Sequence, residues 1–406
     1  MSFRIATSNQ YDRTVAQLGM RQTELARQQE RMSTGKQVLK ASDDPVAATL
    51  NEASRNRSSR LEADLRALNA SRTSLQQAES GLAESGELMI KVKELLVSAG
   101  NGSYTDAERA DIARQLEGLR EQLITVANRT DSSGRTLYGG LGGNSVPFVD
   151  VYSPSGNGVV FQGLRGQPAP GDNSLPQTLD GNAIWMRVPQ GNGSFTLSVP
   201  TSNTGSVTTS LGEVTNTAAL TGDNYRVDFA VVAGVTQYTL TNTTTGTPVP
   251  GHVGVPYVSG ATINADGLSF SMTGEPAAGD RVDLAANTGP TSVFGVIENA
   301  VAALRYNGPG EQTFRTQELG RAMTEMESSL DSVLLARGRV GEWLNRADSQ
   351  ETLMKDRVVD LETEQSRLTD LDPVKGISDF QKQQLALDAA IKSYAQVQRL
   401  SLFNQI

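Results

Sequence analysis

The chain of 406 residues contains no cysteine and one histidine, His252. Disulfide bridges, thiolate nucleophiles and zinc sites built from Cys and His are therefore excluded within a single chain. Aromatic residues make up 5% of the sequence and hydrophobic residues 37%. Such a thin supply of apolar side chains favours long amphipathic helices, because each of them buries only a narrow stripe.

Excess positive charge and long apolar segments are also lacking. The net charge of −9 argues against nucleic acid as the main partner, and the seven Lys and Arg among residues 1–40 are interpreted as a solvated helix face. No apolar run approaches the roughly 18 residues of a membrane span, so no membrane insertion is expected. Because the first residues do not resemble a secretory signal, we expect any export to proceed without a cleaved signal peptide.

The composition divides the chain into two helical ends and a β-rich middle. Residues 1–132 contain a single proline, Pro45, and are rich in Gln, Arg, Glu, Leu and Ala, and residues 292–406 have the same character. Residues 140–290 are instead rich in Gly, Thr, Asn, Pro and Val. We predict an α+β multidomain fold, in which a long antiparallel helical rod or coiled coil is formed from both termini. An all-β domain, sandwich-like or barrel-like, is inserted into this rod.

Heptad spacing gives the clearest helical signal. A matching 3–4 alternation of apolar residues runs from Leu319 to Leu368, and Thr105 with Glu108 forms a capping box that predicts the start of another helix. In the first helix, apolar residues from Tyr11 to Met32 occupy one heptad position, but the second heptad position is mostly polar. This stripe is therefore too weak to hold a two-stranded coil alone. The predicted rod core consists of the apolar residues that recur every seven positions: Leu61, Leu68, Leu75, Leu82, Met89 and Leu96.

The middle region contains short β-prone runs separated by turn residues. These runs include "GVVFQG", "AIWMRV", "SFTLSV", "YRVDFAVV", "QYTLTN" and "DRVDLA". Residues 201–217 are poor in apolar side chains and are predicted to form a loop or an edge hairpin. The pattern leaves open whether the insertion is one domain or two.

The segment "MSTGKQVLKASDDPVAA", residues 32–48, contains Gly, Lys, Ser and two carboxylates, but it fails as a phosphate loop. A helix rather than a strand precedes it, and neither the first Gly nor the final Ser or Thr of that motif is present. Gly35 is instead predicted to end the first helix, and Asp44 to cap the second, which begins at Pro45. Asp43 adds negative charge near the same helix N-terminus.

Other catalytic motifs are missing. The sequence has no G-x-S-x-G, and no G-x-G-x-x-G follows a strand. His252 lies in a Pro- and Gly-rich loop without a neighbouring carboxylate, and Trp185 and Trp343 are interpreted as core residues. We therefore predict no catalytic, metal-binding or cofactor-binding residues, and the protein is not expected to be an enzyme.

Several segments together resemble the flagellin superfamily, in the form found in hook–filament junction proteins. They are the turn at 32–48, "QLITVANRTDSSGRTLYGG" at 122–140, "GLSFSMTGEPAAGDRVDL" at 267–284 and "QKQQLALDAAIKSYAQVQRLSLFNQI" at 381–406. This resemblance implies a structural subunit of the bacterial flagellum, exported to the cell exterior by the flagellar type III apparatus. Its implied partners are other copies in a homo-oligomeric ring, the adjacent hook-associated junction protein, flagellin and a flagellar export chaperone.

The resemblance also implies a domain order and a contact surface. The predicted domains are a polymerisation helix at 1–40, the two halves of the rod at 41–144 and 291–372, the β insertion at 145–290, and a second polymerisation helix at 373–406. The residues implied to contact neighbouring subunits or the chaperone are Leu385, Leu387, Ile391, Tyr394, Val397, Leu400, Leu402 and Phe403. Residues 201–260 match no part of the family pattern, and their role stays open.

Three other functions are alternatives to the junction subunit. A filament-forming flagellin is close in class, but the Asp43-Asp44-Pro45 turn favours the junction form. A coiled-coil surface adhesin with a β head would need an anchor or a secretion signal. An enzyme housed in residues 145–290 would need clustered acidic residues, whereas the ten Asp and Glu there are scattered.

Overall fold

The computed structural model describes residues 2–142, 146–151, 158–167 and 175–403, without the side chains of 2–11 and 397–403. Long helices at both ends enclose a β-rich middle in the sequence order, which confirms the predicted fold class. The α-helices are α1 (Ser2–Thr34), α2 (Pro45–Ala99), α3 (Asp106–Ala127), α4 (Gly181–Trp185), α5 (Val293–Arg305), α6 (Glu311–Thr369) and α7 (Pro373–Phe403).

The strands lie between α3 and α5, and every pair of them is antiparallel. They are β1 (Phe148–Asp150), β2 (Val159–Phe161), β3 (Phe195–Ser198), β4 (Thr208–Thr209), β5 (Glu213–Val214), β6 (Tyr225–Val232), β7 (Val235–Asn242), β8 (Thr247–Pro248), β9 (Val255–Pro256), β10 (Thr262–Ala265), β11 (Leu268–Thr273) and β12 (Arg281–Ala286).

Two sheets share one hydrophobic core. One sheet has the order β3-β12-β6-β7-β8, with β9 also paired to β7, and the other has the order β10-β11-β4, with β5 also paired to β11. Alternate residues of these strands point inwards, and the buried cluster joins Phe195 and Tyr225 of the first sheet with Ile263 and Phe270 of the second. The segment 201–217, predicted as a loop or an edge hairpin, contributes the two-residue strands β4 and β5.

The predicted strand "AIWMRV" is wrong, because this segment lies in helix α4 and the residues that follow it. Asp180 caps the helix: its carboxylate accepts hydrogen bonds from the backbone N–H groups of Asn182 at 3.0 Å and Ala183 at 3.3 Å. The helix places Trp185 in a buried aromatic cluster, edge-on to Tyr138 with 4.7 Å between ring centroids and to Phe148 at 5.4 Å. Trp185 is therefore buried against Tyr138 and against Phe148 of β1.

The chain divides into two compact units. One unit comprises Met1–Ala67 with Ser349–Ile406, and the other comprises Leu68–Asp348. Helices α2 and α6 contribute residues to both. We call the first the terminal unit and the second the central unit.

In the central unit, α2 and α6 pack along the predicted apolar stripes. Leu68, Leu75, Leu82, Met89 and Leu96 are buried, as are Met326, Val333 and Val340 of α6. Arg337, a polar interruption of the α6 stripe, forms an ion pair with Glu79 of α2 at 2.7 Å. The capping box at the start of α3 is confirmed: Glu108 accepts a hydrogen bond from the Thr105 N–H at 2.7 Å, and Thr105 Oγ1 accepts one from the Glu108 N–H at 3.3 Å.

Candidate functional site

In the terminal unit, the loop between α1 and α2 is hydrogen-bonded to the loop between α6 and α7. Gly35 follows α1 with φ of +68°, a conformation that glycine adopts without steric cost. The N–H of Gln37 donates to the Thr369 carbonyl at 2.7 Å, and the N–H of Leu371 donates to the Gly35 carbonyl at 2.9 Å. These bonds fix the ends of α1 and α6 to each other.

The two aspartates of the first loop have different roles. Asp44 Oδ1 accepts hydrogen bonds from the N–H groups of Val46 at 3.0 Å and Ala47 at 2.9 Å, which caps α2 just before Pro45. Asp43 Oδ2 instead accepts bonds from the N–H groups of Leu39 at 3.2 Å and Lys40 at 3.1 Å. These backbone bonds lower the pKa of the Asp43 carboxyl. Asp43 therefore stabilises the loop through hydrogen bonds to its backbone. This is a different role from the one expected from the sequence, in which Asp43 adds negative charge near the N-terminus of α2.

The second loop repeats the Asp-Pro cap. Asp372 Oδ1 accepts hydrogen bonds from the N–H groups of Val374 at 2.8 Å and Lys375 at 3.2 Å, and Pro373 is the first residue of α7. Sequence reasoning placed the start of the last helix at residue 373 without identifying its cap. The signal that identifies the cap is the same dipeptide that begins α2.

Helices α1 and α7 pack against each other in the terminal unit. Gln28 of α1 is buried, and its side-chain Nε2 donates to the Gly376 carbonyl of α7 at 3.1 Å. A Cβ at position 376 would approach Leu371 Cδ2 to 2.7 Å, so a larger residue there would require the Leu371 side chain to shift. Sequence reasoning missed this contact, because Gln28 and Gly376 are 348 positions apart and neither belongs to an apolar stripe.

The predicted contact residues of the last helix are only partly covered by the chain itself. The side chain of Leu385 is 72% exposed and that of Ile391 is 46% exposed, whereas Leu387 and Tyr394 are half-buried. Val397, Leu400, Leu402 and Phe403 lie outside the residues whose side chains are described. Leu61 of the predicted rod core also lies in the terminal unit and is half-buried. Exposed apolar side chains of this kind are typical of a protein–protein interface.

The described residues contain no group of three or more His, Asp or Glu arranged to hold a metal ion. His252 is half-buried rather than lying free on the surface: its ring nitrogens are 3.1 Å from the Tyr238 hydroxyl and 3.0 Å from the Asn264 carbonyl oxygen. Because a carbonyl oxygen only accepts, Nε2 of His252 carries a proton and donates. Within the described part of the chain, no helix is both long and apolar enough for a membrane span.

Comparison with known proteins finds similarity to proteins of the bacterial flagellum. Residues 5–142 match the family model described as the bacterial flagellin N-terminal helical region. The sequence is 25% identical over 407 aligned residues to flagellar hook-associated protein 3 of Escherichia coli (strain K12), with 98% of each chain covered. The crystal structure of Xanthomonas campestris FlgL is similar with 28% identity and a TM-score of 0.66, covering 78% of this chain and 99% of that one.

Similarity to a filament protein covers a smaller part of the chain. The flagellar filament 41 kDa core protein of Borreliella burgdorferi is 28% identical over 175 residues, which is 41% of this chain and 46% of that protein. The predicted resemblance to the flagellin superfamily is therefore confirmed. The similarity to flagellar hook-associated protein 3 extends over 98% of the chain.

Proposed function

We propose that this protein is a structural subunit of the bacterial flagellum, located at the junction between hook and filament. The observation that supports the proposal is the end-to-end similarity to hook-associated protein 3, which includes both terminal helices. The filament protein of Borreliella, by contrast, aligns with less than half of the chain. A filament subunit is therefore the weaker alternative.

The terminal unit supplies a physical basis for assembly. Helices α1 and α7 are held in register by Gln28 and by the paired loops, while Leu385 and Ile391 remain exposed. We propose that neighbouring subunits cover these side chains in a homo-oligomeric ring. Burial of a Leu-sized side chain contributes about 1.5–3 kcal/mol, so even a few such contacts per subunit would favour assembly.

The remaining partners follow from the same proposal. An adjacent hook-associated protein would lie on one side of the ring and flagellin on the other. Before export through the flagellar type III apparatus, a chaperone would cover the last helix, from Leu385 to Phe403. The role would be structural, without catalysis, and the final location would be extracellular.

The proposal is tested by deleting the gene in its source bacterium and restoring either the full chain or a chain ending at Asp372. We expect the deletion strain to make hooks without filaments and to release flagellin into the medium, because exported flagellin has no ring on which to assemble. The full chain should restore filaments and the shortened chain should not. Normal filaments in the deletion strain would exclude the junction role.

Immunogold labelling of the restored strain separates the alternatives. A junction subunit predicts label confined to the boundary between hook and filament. Label along the whole filament would indicate a filament subunit instead. Label on the cell body would support a surface adhesin.

A further inference from the structure

Four charged side chains in the central unit have no ion-pair partner within the part of the chain that the structure describes. Lys91 and Glu94 lie on α2, Arg339 and Glu342 lie on α6, and all four are exposed. Other charges on the same two helices do pair across them: Lys93 with Glu327, and Arg337 with Glu79. These four charges are therefore available to a neighbouring molecule.

Both pairs of charges lie among exposed apolar residues. On α2 they are flanked by Ile90, which is 47% exposed, and Val97, which is 57% exposed. Beside them, α2 and α3 enclose a groove of about 530 Å³ that is lined by Leu95, Gly118 and Leu119. A Cβ added at Gly118 would meet no atom within 4 Å, so this part of the groove is open.

On α6 the charges lie between two apolar positions. Leu335 is 67% exposed, and the ring of Trp343 is half-buried. Trp and Arg are enriched among the residues that contribute most to protein interfaces. The α6 surface at Leu335, Arg339 and Trp343 therefore has the composition of a contact surface, like the α2 surface from Ile90 to Val97.

The two surfaces are complementary in one antiparallel register. Residues three or four apart lie on the same face of a helix, and both charge pairs are spaced by three. If Lys91 lies opposite Glu342, then Glu94 lies opposite Arg339, so both ion pairs form together. The same register places Ile90 opposite Trp343 and Val97 opposite Ala336, which pairs apolar residues with apolar residues.

These pairs cannot form within one chain. The ion pair between Lys93 and Glu327 sets the register of α2 against α6 in the central unit. Glu94 thus lies near the level of residue 326, and Arg339 is 13 residues further along α6. At 1.5 Å per residue, the two side chains are about 20 Å apart along the helices.

We propose that residues 90–97 of α2 in one copy pack antiparallel against residues 335–343 of α6 in the next copy. Because the two surfaces differ, the contact is heterologous, the type that generates rings when the rotation between copies closes. The inference rests on the proposed function, since it names the contact between copies of the junction ring. It concerns the central unit and is separate from the terminal helices.

The absence of cysteine allows a direct test by crosslinking. The double variant Glu94→Cys with Arg339→Cys is produced in the deletion strain, and isolated hooks are oxidised mildly and examined on a non-reducing gel. We expect a ladder of covalent oligomers that reductant converts to monomer. Each single variant, and the control pair Glu87→Cys with Arg339→Cys, should give monomer without a ladder, because the exposed Glu87 lies two helical turns from Glu94 and is not opposite Arg339 in this register.

The crosslinking result separates this inference from the proposed function. Monomer recovered with the hooks but without a ladder overturns the register and leaves the junction role standing. A crosslink to flagellin or to another hook protein overturns the choice of a second copy as the partner. If the unmodified chain is absent from hooks that carry filaments, the proposed function fails, and the inference fails with it.

Charge reversal gives an independent readout. Glu94→Arg alone and Arg339→Glu alone should each lower the amount of protein retained on hooks, because each places like charges opposite each other. The combination of both substitutions should restore retention towards the unmodified level. Equal retention in all three variants would overturn the proposed contact.

Discussion

Helix α2 in the central unit and helix α7 in the terminal unit both carry regularly spaced apolar residues, but the contacts of those residues differ. Leu75 and Leu82 are 1% and 0% exposed, whereas Leu385 is 72% exposed and Ile391 is 46% exposed. Periodicity therefore indicates that an apolar face will be covered, but not whether the cover comes from the same chain. The central unit supplies its own core, and the terminal unit leaves Leu385 and Ile391 exposed.

The largest expected effect follows from placing charges in the buried stripe. The double substitution Leu75→Asp with Leu82→Asp would bury two unpaired carboxylates at positions that have no room for water. Since a folded domain is stable by only about 5–15 kcal/mol, we expect the central unit to unfold. Circular dichroism should show loss of helical signal and of the cooperative thermal transition.

The matched control is Leu75→Met with Leu82→Met, which keeps the apolar volume and should cost less than about 1.5 kcal/mol per site. An unchanged melting temperature in the aspartate variant would contradict the placement of these leucines between helices.

Two buried glycines of α2 predict opposite effects of the same substitution. A Cβ at position 81 would collide with the Tyr138 hydroxyl, which donates to the Ala78 carbonyl at 2.7 Å. Gly81→Ala should therefore destabilise the central unit by about 1–3 kcal/mol. A Cβ at position 86 meets Leu330 Cδ1 at 3.7 Å, an ordinary contact, so Gly86→Ala should stabilise by about 0.4–1 kcal/mol. Denaturant titration of both variants measures the difference, and shifts of the same sign would show that Tyr138 is not fixed against α2.

The sequence predicts local features of the central unit well. Heptad spacing located the stripe from Leu68 to Leu96, Thr105 and Glu108 marked the start of α3, and alternation located β6. Each of these signals lies within a few residues of the feature it specifies, so no knowledge of the tertiary structure was needed.

Features that depend on distant residues could not be predicted. The strand expected at "AIWMRV" is a helix because Asp180 caps it and the aromatic cluster holds Trp185, so tertiary packing overrode β propensity. The bond between Gln28 and Gly376 and the ion pair between Glu79 and Arg337 join residues hundreds of positions apart. A single sequence contains no spacing that indicates such pairs.

Two buried glutamates of α6 predict how the stability of the central unit depends on pH. Burial raises the pKa of Glu318 above its ordinary value, and Arg321 opposes this shift; burial also raises the pKa of Glu325. A raised pKa means that the folded state binds a proton more tightly than the unfolded state. The contribution of Glu318 to stability therefore decreases as the pH rises from about 4.5 through the folded-state pKa.

Glu318→Gln removes this dependence. The melting temperature of the variant minus that of the unmodified protein should become more positive between about pH 4.5 and pH 7, because only the unmodified protein must bury a charge at the higher pH. Thermal unfolding at a series of pH values measures this difference. A difference that stays constant over the range would show that the Arg321 pair fully compensates the buried carboxylate.

The smallest change in the stability of the isolated chain is expected for charges placed on the exposed apolar face of α7. Leu385→Asp with Ile391→Asp introduces the same two charges as the change in the buried stripe, but at positions that the chain leaves exposed. Carboxylates there remain hydrated, so the melting temperature and helical signal of the purified protein should stay within error of the unmodified values. In the deletion strain, the same variant should fail to restore filaments, because a neighbouring subunit would have to bury both charges. A variant that melts at a clearly lower temperature would show that α7 is already covered within the chain, and the distinction between the two units would then be lost.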